Sequence, residues 1–314
     1  MGNKWQTEIK RSLSYDGGTQ GVLIQPEVDK IVTEIIEYKN PLRQNIPRKQ
    51  RNSDSWLLNR RSAAAANTVA QWVNDLTEPD IDNTSQARFS FQFRTLLARG
   101  KVTRFAQDAG RSYIDVLSEE IESRARAFKD LEENAMFYGN NSVNSTQPDG
   151  LTTLITGSQI VKASTVAGGG ALTLTKIDET VDQCAGSPDL MVTSKQSRRR
   201  INALLQGEQR FVNTTEVAGG FRVLSYDDIP IFASTNVTND FWFDGTQVVG
   251  TTGDTSHLFV LDTSEFWVGY MNDVTVSPLS KTSSQFDQFD IFEDVAFVMR
   301  NTINNAMLVG FDNQ

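Results

Sequence analysis

The chain has 314 residues, 39% of them hydrophobic and 22% charged, a balance ordinary for a globular protein and long enough for one or two domains. A formal net charge of −9 argues against a general nucleic-acid binder, since such proteins are normally basic. One cysteine, Cys184, and one histidine, His257, exclude an intrachain disulfide framework and the usual zinc constellations. They leave nucleophilic or metal-assisted catalysis a single imidazole to use.

No run of 18 apolar residues is present to span a bilayer, and Met1 to Glu8 is polar, unlike a secretory leader. Charge is unevenly placed. Residues 43–61 carry six bases against Asp54 alone, whereas 214–314 hold 14 acids against Arg222, Lys281 and Arg300. Segments so separated either attract each other between neighbouring copies or are two differently solvated surfaces.

In chain order, residues 1–25 are polar, contain Asp16-Gly17-Gly18, and read as an extended arm. Behind Pro26, the residues Val28, Ile31, Val32, Ile35 and Ile36 recur at helical spacing, and Pro41 ends that helix. Ser55 to Arg60 is strand-like. Residues 62–87 hold four consecutive alanines, Trp72, Pro79 and three aspartates with no apolar face of either period. They read as a long projecting hairpin or loop. Arg88 to Arg94 then alternates strictly, with Phe89, Phe91 and Phe93 on one face.

The strongest helix runs from Ser112 to about Tyr138. Ile114, Leu117, Ile121, Ala125, Phe128, Leu131 and Ala135 form an apolar stripe at spacings of three and four. Ser112 with Asp115 caps its start, and Gly139-Asn140-Asn141 stops it. At 1.5 Å per residue it is roughly 40 Å long, a spine along which other elements pack. After Pro148-Asp149-Gly150, short pieces alternate: a strand at 160–163, a helical turn or two at 177–184, a buried strand at 189–193 and a helix from Lys195 to Gln206 ending at Gly207. Weak strands follow around Pro230, then apolar strands at 258–261, 290–300 and 306–311.

The chemistry-bearing motifs are weak. Gly168-Gly169-Gly170 lacks the Gly-Lys-Ser/Thr of a phosphate loop and reads as a turn. Lys195 to Arg200 puts a basic cluster on a helix, facing DNA phosphates, a neighbour's acids or solvent. Asp227/Asp228 and Glu293/Asp294 are adjacent pairs that point to opposite faces of a strand, which disfavours a shared acid–base site. His257 reads as an ordinary loop residue. No catalytic residue, cofactor or metal is assigned.

Taken in order, these segments resemble the Hong Kong 97-type major capsid proteins of tailed bacteriophages over nearly the whole chain. Gly17 to Pro26 is similar to the family's arm leading into a first short helix, here Ile31 to Asn40 before Pro41-Leu42-Arg43. Residues 54–95 are similar to its extended loop, a two-stranded arm lying over an adjacent subunit, and Ser112 to Tyr138 to its spine helix. Glu132-Glu133-Asn134-Ala135-Met136-Phe137-Tyr138-Gly139-Asn140, followed by Gln147-Pro148-Asp149-Gly150-Leu151, is similar to its most repeated signature. Pro188 to Ser194 and Tyr226 to Ile231 resemble two later strand segments.

The resemblance implies an α+β fold: N-terminal arm and first helix (1–53), extended loop (54–95), peripheral domain with the spine helix 112–138 (96–150), axial domain (151–285), and C-terminal strands returning to the peripheral domain (286–314). It implies identical copies forming hexamers and pentamers of an icosahedral head, assembled in the host cytoplasm around double-stranded DNA held without sequence specificity. Arg60, Arg61, Trp72, Glu78, Arg94 and Arg99 are the inter-subunit contacts expected. The expected partners are further copies, a separate scaffolding protein, a portal, and a cement or decoration protein, with no membrane. The first helix begins by about residue 26, too early for a scaffolding segment ahead of it. No lysine lies between Lys49 and Lys101, so the covalent crosslink that some relatives make through an extended-loop lysine is not expected. The alternatives are an encapsulin-like nanocompartment, told apart by enzyme cargo, another virion component forming rings or tubes, and a soluble α/β enzyme with a concave polar pocket.

Overall fold

The computed structural model describes residues 40–61, 72–75, 78, 85–110, 115–164, 169–207, 214–217, 221–239, 241–243, 248–250, 255–279 and 285–312. The expected arm and the helix ahead of Pro41 lie outside them. Pro41 itself starts a helix, α1 (Pro41–Asn45). Its ring presets the helical φ, and its missing N–H is no loss in a first turn.

Among the described residues are two two-stranded sheets, β2 (Ser55–Arg61) with β3 (Gln86–Gln92) and β11 (Phe241–Phe243) with β12 (Val248–Gly250), and two larger ones. In the first of the larger ones, the 14-residue strand β16 (Phe286–Met299) pairs antiparallel along one edge with β4 (Arg94–Thr103) and along the other with β14 (Phe266–Tyr270) and β15 (Thr275–Pro278). The short β1 (Arg48–Gln50) lies parallel beside β14. In the second, the order is β5 (Ile160–Lys162), β17 (Ala306–Asp312), β13 (Thr255–Leu261), β7 (Leu190–Ser194), β10 (Ile229–Ser234), β9 (Phe221–Tyr226) and β8 (Thr214–Val217), with β6 (Gly170–Ala171) also on β17. β16 joins the first sheet, whereas β17, apolar on both faces, is buried in the second. β14 and β15 likewise cross from the 151–285 segment into the first sheet.

The spine helix α3 (Val116–Tyr138) starts four residues later than expected, and Ser112 lies outside the described residues. Asp115 caps it, accepting from the Leu117 and Ser118 N–H groups at 3.2 and 3.3 Å and from the Ser118 hydroxyl at 2.9 Å. These donors hold its carboxyl below the usual range. A preceding helix, α2 (Arg104–Gly110), links it to β4. Leu117, Ile121, Ala125 and Phe128 pack on Phe289 and Ile291 of β16. Beyond Phe128 the buried face rotates. Leu131 is half exposed, and Glu132, Glu133, Met136 and Phe137 are buried instead.

The last turns of the spine enter a core shared by both sheets. Met136 and Phe137 meet Val295, Phe297 and Met299 from the first sheet and Val192, Phe259, Leu261, Met307 and Val309 from the second. The alternate residues Met191, Leu258, Val260 and Leu308 face the other way, under Leu174 and Ile177 of α5 (Leu174–Asp182) and Ile201 and Leu205 of α6 (Lys195–Gly207). That two-sided alternation is the period of a strand buried on both faces. Each such side chain contributes roughly 1.5–3 kcal/mol on burial.

Gly139 closes the spine against α4 (Leu151–Leu154). Its N–H donates to the Ala135 carbonyl at 2.8 Å, and the Gly139 carbonyl accepts from the Gly150 N–H at 2.8 Å. A Cβ on Gly139 would sit 2.6 Å from the Ala135 oxygen and against the Pro148 carbonyl, so the glycines of the signature serve backbone-to-backbone contact. Asp227 and Asp228 (φ 50° and 62°) form the tight turn between β9 and β10, a left-handed conformation that aspartate tolerates. Glycine 169 (φ 84°) is a left-handed turn leading into β6. No helix among the described residues is long and apolar enough to cross a membrane.

Candidate assembly site

Within residues 54–95 the described strands form a hairpin. β2 (Ser55–Arg61) pairs antiparallel with β3 (Gln86–Gln92), from Ser55 opposite Gln92 to Arg61 opposite Gln86. One face lies on the first sheet, with Trp56, Leu58, Phe91 and Phe93 against Trp267, Ala296 and Val298. Trp56 meets Trp267 edge-on, with ring centroids 5.8 Å apart. Gly269 makes room for it, because a Cβ there would come within 2.8 Å of the Trp56 ring. Lys49 Nζ sits 3.8 Å from the centroid of Trp267, a cation–π contact that helps cap the cluster.

The contact residues expected from sequence fall into three groups. Arg60 is tied down within its own chain: Nε donates to the Arg300 carbonyl at 2.8 Å, Nη2 donates to the Met299 carbonyl at 2.7 Å, and the guanidinium lies 4.0 Å from the centroid of Phe89. Partial burial pulls its pKa down. Arg94 and Arg99 lie on β4, an edge strand among the described residues. Arg94 Nη2 donates to Gln92 Oε1 at 2.9 Å and Asn141 Oδ1 at 3.0 Å, between two hollows of about 330 and 310 Å³ that share Gln147, Pro148 and Phe297 in their walls. Arg99 makes a two-pronged pair with Asp290 across β4 and β16, at 2.7 and 2.8 Å. The pairing raises the arginine's pKa and lowers the aspartate's. Arg61 and Glu78 are exposed, and Trp72 is wholly exposed. The six residues form no single cluster.

A second constellation was not expected from the sequence. Glu132, Glu133 and Glu293 are at most 1% exposed and meet where α1, β1, the spine and β16 converge. Arg43 Nε pairs with Glu132 Oε2. Arg48 Nη1 pairs with Glu132 Oε1 at 2.8 Å, and its Nη2 pairs with Glu293 and reaches Asp273 Oδ1 at 3.4 Å. Glu133 Oε1 accepts from the Ser234 hydroxyl at 2.6 Å, and its Oε2 accepts from the Arg43 backbone N–H at 3.2 Å. Burial pushes Glu133 up to about 7, with Asp130 and Glu132 adding to the rise and the two donors opposing it. Asn236 Nδ2 donates to Asp130 Oδ1 at 2.8 Å and to Asn40 Oδ1 at 3.3 Å. The arm root, the spine and the end of β10 are thereby joined by polar contacts inside the fold.

His257 is not a loop residue. It sits within β13, fully buried, with its ring centroid 5.8 Å from that of Tyr138 and 6.0 Å from that of Phe259. Burial pushes it down to about 3, so it is neutral at physiological pH and packs as an aromatic. Cys184 is buried, and burial raises its thiol to about 12. The adjacent acids Glu293 and Asp294 do point apart: Asp294 accepts from Thr95 and Asn272 at 2.5 Å each, on the face opposite Glu293. Among the described residues no group of three His, Cys, Asp or Glu could hold a metal.

The geometry is thus an anchored hairpin, an edge strand and a buried joint. A family profile described as SU10 major capsid protein matches residues 12–312. The chain belongs to the SU10 major capsid protein family. Solved structures agree on the fold of this capsid protein. The Microbacterium phage Oxtober96 structure is 15% identical with a TM-score of 0.65, over 92% of this chain and 96% of that one. The capsid of a native GTA particle is 14% identical with a TM-score of 0.65, over 96% and 99%. The holo-SrpI encapsulin of Synechococcus elongatus is 13% identical with a TM-score of 0.66, over 93% and 94%. No curated protein sequence matches significantly.

The capsid protein thus has a structural role in a virion shell built from copies of itself. Its α+β fold is of the Hong Kong 97 type, and the encapsulin likeness extends to that fold alone. Within this capsid fold, the signature acids 132–133 carry a meaning that periodicity hides. They lie on the face that Phe128, Met136 and Phe137 make apolar, which marks them as buried.

Proposed function

We propose that this major capsid protein assembles as hexamers and pentamers of an icosahedral head around double-stranded DNA, held without sequence specificity. The single observation carrying the reading is the hairpin whose root is fixed by Trp56 and Arg60 while Trp72 beyond it is wholly exposed. A large aromatic left in water, between the two strands of an anchored hairpin in sequence, suits burial against another copy. In this reading Trp72, Arg61 and Glu78 contact the neighbour directly. Arg94 and Arg99 line the β4 edge that a neighbour covers, and Arg60 sets the angle at which the arm leaves. The first sheet with the spine serves as the peripheral domain and the second sheet as the axial domain around the capsomer axes. Shell stability then comes from many repeated contacts acting together.

A separate scaffolding protein, a portal and a cement or decoration protein complete the partners, and assembly takes place in the host cytoplasm. Without a lysine between Lys49 and Lys101, the extended loop forms no covalent crosslink. Isopeptide ladders on a denaturing gel of mature particles would contradict that. The deciding experiment is electron microscopy of the protein expressed with and without its neighbouring viral genes. Closed shells or capsomer-sized rings, filled with DNA in infected cells, support the reading. A uniform monomer under every condition, or shells carrying enzyme cargo, overturns it.

A further inference from the structure

The buried joint holds more carboxylates than it holds cations. Glu132, Glu133 and Glu293 face only two guanidiniums among the described residues, those of Arg43 and Arg48, and both are committed to Glu132 and Glu293. Among the described residues Glu133 receives neutral donors, the Ser234 hydroxyl and the Arg43 backbone N–H. On its own helix it has Asp130 and Glu132 beside it. From β10 it faces Ser234, whose oxygen also accepts the Asn236 N–H at 3.1 Å. Beyond Arg48 lie Glu293 on β16 and Asp273 in the turn after β14.

We propose that this joint is a proton-held latch, closed when Glu133 carries a proton and loosened when it ionises, so that the arm root and the end of β10 are bound to the spine in a pH-dependent way. A neutral carboxyl suits the site. One oxygen accepts from the Arg43 N–H while the O–H donates to the Ser234 oxygen, and no charge is left unpaired. The ionised form puts a third carboxylate into a water-poor site without a cation, the costly arrangement for a buried charge. The upward shift of Glu133 to about 7 agrees with the geometry. The closed joint binds the proton more tightly than the open one. Closure is therefore complete below the ordinary carboxylate range, weakens as pH rises, and changes no further above about 7.

The test is amide hydrogen exchange on the full chain, as assembled shells and as free subunits, from pH 5 to 8 with intrinsic rates normalised. In wild type, protection at residues 40–48 and 232–238 is expected to fall by up to about tenfold per pH unit and then level off near 7. Glu133→Gln keeps the acceptor for Arg43 and a donor for Ser234 without a titrating group, so its protection is expected to be flat. Comparison with this variant also cancels His257, which titrates in the opposite sense behind Tyr138. Ser234→Ala removes a bond that is stronger to the ionised carboxylate than to the neutral carboxyl, so the levelling point moves to higher pH. This second variant keeps the test open should Glu133→Gln fold poorly, since a merely structural role would lower protection without moving that point. Flat protection in wild type, an unchanged slope in Glu133→Gln, or an unmoved levelling point in Ser234→Ala overturns the latch.

Discussion

Arg48 ties the spine to the first sheet, and replacing it by methionine isolates what that tie contributes. Its side chain is 22% exposed, whereas Glu132 and Glu293 are wholly buried side chains. Removing one partner of a buried pair typically costs about 3–5 kcal/mol, because the remaining charge is left uncompensated. Arg43 still serves Glu132, which places Arg48→Met near the lower end, at about 3 kcal/mol. Unfolding entropy of about 2.1 cal/mol/K per residue gives roughly 0.7 kcal/mol/K for a chain of this length, so Tm should fall by about 4–5 °C. Denaturant titration of unassembled subunits, followed by tryptophan fluorescence, gives the free energy directly. Arg48→Met/Glu293→Met removes the charge and its counter-charge together, and should recover most of the loss. A single-variant cost below about 1 kcal/mol, or a double variant no more stable than the single, would refute the reasoning.

Other expectations separate assembly from folding. Trp72→Ala should leave the subunit's Tm unchanged, since the side chain is wholly exposed, but should reduce the yield of closed shells in sedimentation. Arg60→Ala should destabilise the subunit itself by roughly 1–2 kcal/mol, through two lost hydrogen bonds from a charged donor. Equal effects of the two variants on Tm would contradict these placements. Asp115→Ala should lower Tm by about 1–2 °C and fray the first turn of the spine in hydrogen exchange. His257 is held neutral down to about 3, so the stability it contributes is lost as pH falls below the ordinary imidazole range. His257→Phe should therefore flatten the acid side of a Tm–pH curve, and an unchanged curve would count against burial as the cause.

The elements legible in the sequence are those whose burial follows one period. The stripe Leu117, Ile121, Ala125, Phe128 lies on the first sheet as spaced, and Phe91 and Phe93 lie together under the hairpin. Leu190 to Ser194, opened by three apolar residues, is fully buried. What escaped has a physical reason in each instance. β4 carries Arg99 and Lys101 on its exposed face and Arg94 on the half-buried one, so charge on both faces masks its alternation. β14 contains Gly269 and its neighbours are buried on both faces, which leaves no alternation to read. Which sheet β17 joins is decided by partners far away in sequence, β5 and β13, and no local pattern carries that. The joint escaped because Glu132, Glu133 and Glu293 look like surface acids until Arg43 and Arg48 are placed beside them.

The joint also raises the question of why a capsid subunit should keep charges where apolar residues would pack as well. Buried ion pairs are weak evidence for stability, and isosteric apolar replacement is often neutral. Their distinguishing property is direction. The Arg48 guanidinium must aim at Glu132 and Glu293 together, which fixes the arm root against the spine at one angle, whereas methionines tolerate many. In a shell, an error of a few degrees per subunit accumulates over every copy in a ring. Arg48→Met/Glu293→Met, although close to wild type in subunit stability, is accordingly expected to give shells of mixed diameter by electron microscopy. Uniform wild-type shells from that variant would show that the charges do not set curvature.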